Sequence, residues 1–241
     1  MKQQSGLAGL LLLVILLGAG GRALWVWLDR PIERVSIRGE MQHVNADYLR
    51  DELSPLIRSR TWLSVSLSEL RDDARAIGWV SEVRVSREWP DALTFELVEQ
   101  EPVARWNDDY LLNADGESFA YGDVSPPDPL PDLAGPGGSG KEVLAYHRDL
   151  MERFDKLDLV VTQLRLEARG AWRFQLNDSV WVMLGRNDRQ ARLARLTAAW
   201  ERQLDSQASH IRYIDLRYPN GVAVAWHGET ETAEEDSLEE G

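Results

Sequence analysis

The feature that most constrains this chain is an apolar run near its amino end. Residues 7–28, LAGLLLLVILLGAGGRALWVWL, contain a single charged side chain, Arg22. Built as a helix, the run would be about 33 Å long, enough to cross a hydrocarbon core of about 30 Å. Trp25 and Trp27 lie near one end, where tryptophans are typical of a membrane interface, and Arg22 can extend its guanidinium to that interface. The sequence therefore predicts a transmembrane helix over residues 7–28, preceded by a short terminus of residues 1–6.

A cleaved signal peptide is the alternative interpretation of the same run. Lys2 would supply its positive start, residues 7–17 its apolar region and the small residues 18–21 its cleavage site. The membrane span is favoured because apolar residues and tryptophans continue beyond that cleavage site. The flanking charges do not decide the orientation, since Lys2 precedes the run and three arginines follow it by residue 38.

Composition excludes several kinds of site. The chain has 241 residues, no cysteine and a formal net charge of −13. Without cysteine it can form no disulfide, thiol nucleophile, zinc–thiolate or iron–sulfur site. An acidic balance argues against binding to nucleic acid, which needs a basic surface for the phosphates. Seven acids and no base between residues 229 and 240 predict that residues 227–241 are a disordered acidic tail.

Residues 32–98 have the pattern of a small α+β domain. Val35 and Ile37 alternate in a first strand, and two helices follow, capped by Asn45 and Ser66, with Pro55 expected to end the first of them. Two further alternating strands complete the order β-α-α-β-β. We expect a three-stranded sheet covered by two helices.

Residues 103–226 are predicted to form a second α+β domain, with an antiparallel sheet and flanking helices. The predicted elements are a hairpin over residues 106–119 with a turn at Asp115-Gly116, a loop over 124–140, a helix over 141–157, strands near 164–168, 172–176 and 180–184, a helix over 188–204, and a terminal hairpin of 211–218 with 221–226.

The last predicted strand, GVAVAW (residues 221–226), has small apolar residues and none of the lysines, prolines or inward charges that usually protect a sheet edge. No predicted strand follows to cover it. Such an edge is either an aggregation hazard or a site where another chain adds a strand, and Trp226 could anchor that contact.

Catalytic motifs are absent or incomplete. GPGGSGKE (residues 135–142) resembles a phosphate-binding loop, but Glu142 stands where a magnesium-binding hydroxyl is needed, and no apolar strand is predicted before it. The four histidines lack metal-ligand spacing, and His147 is predicted to lie in the core. The arginines at 186, 189, 192 and 195 indicate either a solvated helix face or a patch for an acidic partner. We expect no enzyme activity, no cofactor and no small-molecule substrate.

Several segments together resemble the bacterial FtsQ/DivIB family of cell division proteins. They are the single span, the β-α-α-β-β unit, REWPDALTFELVEQEPVARW (87–106), LLNADGESFA (111–120), LPDLAGP (130–136) and YIDLRYPNGVAVAW (213–226). The resemblance implies a POTRA domain over residues 32–98 and the family's β domain over residues 103–226. It also implies an inner-membrane protein with a cytoplasmic amino end, periplasmic domains and enrichment at the division septum.

The function implied by the resemblance is scaffolding during septum formation. The last strand would bind FtsB and FtsL, while the POTRA domain and the span would contact other proteins of the divisome, so that early and late division proteins are linked. The implied partner-binding residues are Arg169, Arg217, Tyr218, Gly221, Val222, Val224 and Trp226. Arg169 is expected on a neighbouring strand, the two arginines would bind partner acids, and Gly221 would supply the positive φ of an Asn-Gly turn.

Two alternatives belong to other functional classes. One is a secreted POTRA-type chaperone of outer-membrane assembly, and the other is a periplasmic hydrolase that uses carboxylates. The retained span and the single POTRA unit count against the first, and no carboxylate spacing indicates a catalytic pair for the second.

Overall fold

The computed structural model describes residues 2–58 and 60–228, with side chains described from residue 12. The chain divides into two compact units, one of Met1–Gln100 with Gly122–Val124 and the other of Glu101–Tyr121 with Ser125–Gly241. Each unit combines helices with a β-sheet, which confirms the α+β class. All but the first two residues of the predicted acidic tail lie outside the described residues.

The N-terminal unit begins with helix α1 (Lys2–Leu28). No helix in the described part of the chain combines the length and the apolar character that crossing a membrane requires.

The rest of the N-terminal unit follows the predicted order. Its elements are β1 (Arg34–Arg38), α2 (Ala46–Ile57), α3 (Leu67–Arg75), β2 (Val80–Glu88) and β3 (Ala92–Glu99). Strand β3 is central, parallel to β1 and antiparallel to β2. Leu49 of α2, Leu70 of α3 and Phe95 of β3 are fully buried, so the apolar helix faces and the central strand form the core.

The helix starts are set by local capping, as predicted. The Asn45 side chain accepts from the Tyr48 N–H (2.7 Å), and the Ser66 hydroxyl accepts from the Glu69 N–H (3.3 Å). Pro55 was expected to end α2, but the helix continues to Ile57. Proline cannot donate to the carbonyl four residues earlier and its ring crowds that carbonyl, but this close to the helix end only the last turn is affected.

The C-terminal unit contains nine strands and two long helices within the described residues. They are β4 (Pro102–Trp106), β5 (Tyr110–Asn113), β6 (Ser118–Ala120), β7 (Asp132–Ala134), α4 (Gly140–Phe154), β8 (Val161–Leu166), β9 (Trp172–Leu176), β10 (Val180–Gly185), α5 (Arg189–Ala199), β11 (Ile211–Asp215) and β12 (Ala223–Trp226). A π-helical turn, Trp200–Leu204, extends α5, and a short 3₁₀ helix, Asp205–His210, leads into β11.

The sheet of this unit is mixed, so the prediction of an antiparallel sheet is wrong. Its strand order is β12-β11-β10-β9-β8-β7-β4-β5-β6, and the pairs β10–β11, β7–β8 and β4–β7 are parallel. Parallel neighbours need a long crossover, and here α4 connects β7 to β8 while α5 connects β10 to β11. The predicted helices are therefore crossover connections within one sheet.

One segment predicted to be a loop contains a strand of this sheet. Strand β7 lies within residues 124–140 and pairs with both β4 and β8. Its three residues join the two halves of the sheet, although the segment around it is rich in proline and glycine. The predicted turn at Asp115-Gly116 is confirmed, since Gly116 has φ +77° and the Asn113 side chain accepts from the Asp115 N–H (3.1 Å).

Candidate partner-docking edge

Strand β12 occupies one edge of the nine-stranded sheet. It pairs antiparallel with β11, and β11 is its only strand neighbour within the described residues. The predicted terminal hairpin is confirmed, but its second strand begins at Ala223, so Gly221 and Val222 precede the strand.

The direction of the backbone groups along β12 follows from the register. The Leu216 N–H donates to the Met183 carbonyl (3.0 Å) on the β10 side, so alternation turns Asp215 and Tyr213 of β11 toward β12. Their partners Ala223 and Ala225 therefore point their N–H and C=O groups at β11. The N–H and C=O groups of Val224 and Trp226 therefore point away from β11, outward from the edge of the sheet.

The His227 N–H supports the same assignment, because it donates to the His210 carbonyl (2.7 Å) and so places Trp226 outward. At Val224 and Trp226 the side chain and the backbone therefore face different surroundings. Both side chains are partly buried against the core of the unit, while their main-chain donors and acceptors are presented at the edge. Trp226 therefore packs against its own domain, and replacing it is expected to affect stability as well as any interface.

The loop before β12, residues 216–222, carries the most exposed aromatic side chain of the C-terminal unit, Tyr218, which is 59% exposed. Next to it, Arg217 binds both carboxylate oxygens of the buried Asp215, with an Nη2–Oδ2 distance of 2.6 Å. The Arg217 N–H also donates to Asp215 Oδ1 (2.9 Å). These bonds hold the pKa of Asp215 below its usual value, the side-chain bond from Arg217 being the largest cause. Part of the positive charge expected to face a partner is therefore already paired.

Two arginines of α5 hold this loop from inside the domain. Arg192 donates from Nη1 to the Leu184 carbonyl (2.7 Å) and from Nη2 to the Arg217 carbonyl (3.3 Å). Arg195 donates from Nη2 to the carbonyls of Leu216 (3.4 Å) and Tyr218 (3.1 Å). We predicted either a solvated helix face or a patch for an acidic partner. Neither prediction included the bonds from these arginines to the loop carbonyls. Their three-residue spacing could indicate a shared helix face, but no local pattern identifies the carbonyls that they bind.

Gly185 makes room for this arrangement at the end of β10. It has φ +75°, and a Cβ at this position would lie 2.6 Å from Nη1 of Arg192. Any larger residue would therefore displace the guanidinium that binds the loop.

Arg169 and Gly221 differ from their predicted placement. Arg169 is exposed in the β8–β9 turn, at the same end of the sheet as loop 216–222 but with β9, β10 and β11 between β8 and β12. At about 4.8 Å per strand, this turn is about 14–19 Å from β12, so it is not on a neighbouring strand. Gly221 is not among the residues with positive φ, so its predicted turn role is wrong.

The phosphate-loop resemblance has one feature that the sequence did not predict. Strand β7 does lead into residues 135–139, and α4 follows, so the expectation that no strand precedes the loop is wrong. The Gly135 N–H, however, donates to the Asn107 side chain (3.1 Å), and the Ser139 hydroxyl donates to the Pro136 carbonyl (2.7 Å). These groups are used within the protein, and Glu142 still stands where a hydroxyl is needed.

The predicted core position of His147 is confirmed. The side chain is buried, its Nε2 lies 2.8 Å from the Val161 carbonyl oxygen, and burial lowers its pKa. Among the side chains that the structure describes, no group of three His, Cys, Asp or Glu residues is placed to hold a metal ion.

Comparison with known proteins matches each of the two units to a family of protein domains. Residues 30–100 match the FtsQ-type POTRA domain, and residues 104–217 match the C-terminal domain of the cell division protein FtsQ/DivIB. The chain is 31% identical to the cell division protein FtsQ of Escherichia coli K12 over 236 residues, covering 91% of this chain and 84% of the relative. It is 31% identical to FtsQ of Vibrio cholerae over 241 residues (98% and 92%) and 34% identical to FtsQ of Burkholderia pseudomallei over 221 residues (89% and 87%).

Proposed function

Because this chain belongs to the FtsQ/DivIB family of cell division proteins, we propose that it is a membrane-anchored scaffold of the divisome that binds a partner through β12. Family membership also identifies it as a non-enzymatic protein. The proposed partner is a coiled-coil pair of the FtsB/FtsL type, which adds an extended segment to the sheet during septum formation. Residues 32–98 would be its POTRA domain and residues 103–226 its partner-binding domain.

One observation carries the proposal: the outward backbone groups of Val224 and Trp226 at a sheet edge that no other described strand covers. A partner strand that paired with them would satisfy these donors and acceptors and extend the sheet by one strand. Main-chain bonds of this kind give affinity with little dependence on the partner's sequence. Specificity then has to come from side chains beside the strand.

Tyr218 and the two implied arginines are the side chains that could supply specificity. Tyr218 is exposed on a loop that Arg192 and Arg195 hold in place, so its ring is presented with little loss of conformational freedom on binding. Arg217 could donate to a partner carboxylate only while sharing its charge with Asp215, so we assign it a smaller contribution. Arg169 could form a separate ionic contact at the same end of the sheet.

The membrane part of the proposal has its support in the sequence and the family. Residues 7–28 would cross the inner membrane once, with residues 1–6 in the cytoplasm and the domains of residues 32–98 and 103–226 in the periplasm at the septum. The span and the POTRA unit would contact other division proteins and so connect early and late members of the assembly.

Tyr218→Ala tests the docking site in the full-length chain. Truncating an exposed aromatic anchor typically costs about 2 kcal/mol or more of binding, so affinity for an FtsB/FtsL-type complex should fall about 30-fold or more. Tyr110→Ala is the matched control, because Tyr110 is also exposed but lies on β5, near the opposite edge of the sheet. Binding is measured by biolayer interferometry, and folding of both variants by thermal melting.

The two variants separate the possible outcomes. Loss of binding in Tyr218→Ala with normal melting, beside normal binding of Tyr110→Ala, supports the site. If the Tyr218 variant is folded and binds as the wild type does, the proposed site is in the wrong place.

A further inference from the structure

Three segments of the N-terminal unit are bonded together just after helix α1. Asp29, the residue after the helix, accepts at Oδ1 from the N–H of Leu63 (2.9 Å) and of Ser64 (3.3 Å). The Arg30 carbonyl accepts from the N–H of Trp62 (2.8 Å). The loop of residues 60–64 is therefore held against the segment through which the chain leaves α1.

The turn between β2 and β3, residues 89–91, is bonded to the same place. The indole N–H of Trp62 donates to the carbonyls of Glu88 (3.2 Å) and Ala92 (3.1 Å), which stand on either side of the turn. The Asp91 carbonyl accepts from the Glu33 N–H (3.0 Å). Through Trp62, a single residue connects the end of α1 to the β2–β3 turn.

The tip of that turn is an exposed tryptophan. Trp89 is 68% exposed, while Trp62 behind it is partly buried and uses its indole N–H within the protein. The end of α1 is likewise aromatic, with Trp25 and Trp27 at 55% and 58% exposed and the Arg30 guanidinium 5.4 Å from the Trp27 ring. Exposed indoles beside a cation are the side chains that settle at the headgroup level of a bilayer, since the ring is apolar and its N–H is polar.

We propose that Trp89 is a second contact of this protein with the membrane, its indole lying in the lipid headgroup layer beside the end of α1. The inference rests on the proposed membrane span. It commits to lipid because the turn is fixed directly to the residues that follow that span. The contact holds the N-terminal unit with its β2–β3 turn against the bilayer and the other end of β2, near Glu82, directed away from it.

The absence of cysteine allows a direct test in the full-length chain. Trp89→Cys and, as the matched control, Glu82→Cys are each labelled with a single nitrobenzoxadiazole group, and both proteins are placed in phosphatidylethanolamine/phosphatidylglycerol nanodiscs. Residue 82 is exposed on β2, the strand that leads into the turn, but lies near the other end of that strand. The label at residue 89 should emit at shorter wavelength, be quenched by headgroup spin-labelled lipid and be protected from iodide in the water. The label at residue 82 should emit at longer wavelength, escape quenching by the spin-labelled lipid and be quenched by iodide.

A second measurement keeps the native side chain. In nanodiscs with brominated lipid, the bromine atoms quench the fluorescence of tryptophans that contact lipid. Trp89→Phe should show less of this quenching than the wild type. Trp172→Phe removes a buried ring of the other unit and should show as much quenching as the wild type. Equal iodide access at positions 82 and 89, or unchanged quenching in Trp89→Phe, overturns the inference while leaving the span intact. If the chain fails to float with the nanodiscs at all, the proposed span is overturned and the inference with it.

Discussion

Val224→Pro tests whether the outward backbone of β12 binds the partner. The register directs the Val224 N–H away from β11, so proline should remove no bond of the native sheet, and edge strands accept proline at such positions. In the complex, the partner carbonyl opposite residue 224 would lose its donor and be buried without a bond. An unsatisfied group of this kind costs about 1–3 kcal/mol, which corresponds to about 5- to 150-fold weaker binding.

Ala225→Pro is the matched control, because the backbone of Ala225 points at Tyr213 of β11. This change should remove a bond of the native sheet and lower the melting temperature, by about 2–4 °C for each kcal/mol lost. Calorimetry of binding and thermal melting on both variants give the contrast. A Val224→Pro protein that melts normally and binds an FtsB/FtsL-type complex with wild-type affinity would refute strand addition at this edge.

Two further predictions concern the loop that carries Tyr218. Arg195→Gln removes the guanidinium that binds the carbonyls of Leu216 and Tyr218. We expect a folded protein that loses about 1–2 kcal/mol of local stability in this loop. Its loop amides should therefore exchange about 5–30-fold faster, as measured by hydrogen exchange with mass spectrometry. Asp215 has a folded pKa below its ordinary value of 3.8, so its pairing with Arg217 stabilises the protein above that pH and is lost as the pH falls through the lowered pKa. The difference in melting temperature between wild type and Asp215→Asn should therefore shrink from pH 6 to pH 3, and a constant difference would contradict this pairing.

Local rules account for the parts of the fold that the sequence predicted correctly. Asn45 and Ser66 cap helices because their side chains satisfy N–H groups three residues ahead, a relation contained within a few positions. The alternation of Leu93, Phe95 and Leu97 predicts β3 in the same way. Each of these signals depends only on near neighbours in the chain.

The pairing of the strands depends on contacts between distant segments, and there the prediction failed. Strand β7 has three residues, too few for an alternation to be recognised, and it is held by β4 and β8 from opposite sides. Periodicity identified the helices α4 and α5 but not that each connects two parallel neighbours. Two of the three parallel pairs of the mixed sheet follow from those two crossovers.

At the candidate site, the sequence predicted the edge but not what shapes it. The edge follows from a last apolar strand with no predicted strand after it, a property of order along the chain. The bonds from Arg192 and Arg195 to loop carbonyls join residues more than twenty positions apart, and helix spacing carries no information about them. The predicted turn role of Gly221 failed because it applied a hairpin rule to a connection that the structure builds as a longer loop.

The geometry of the edge also limits how one partner could use all of the implied contacts. Register places the start of β12, loop 216–222 and the β8–β9 turn with Arg169 at the same end of the sheet. Arg169 is displaced from β12 across the strands, by about 14–19 Å, rather than along them. A segment paired with β12 could therefore not reach Arg169 by continuing straight. It would have to leave the edge near Ala223, pass Tyr218 and turn across the ends of β11, β10 and β9, so a partner that binds both sites needs a bend between its strand and the acid that meets Arg169.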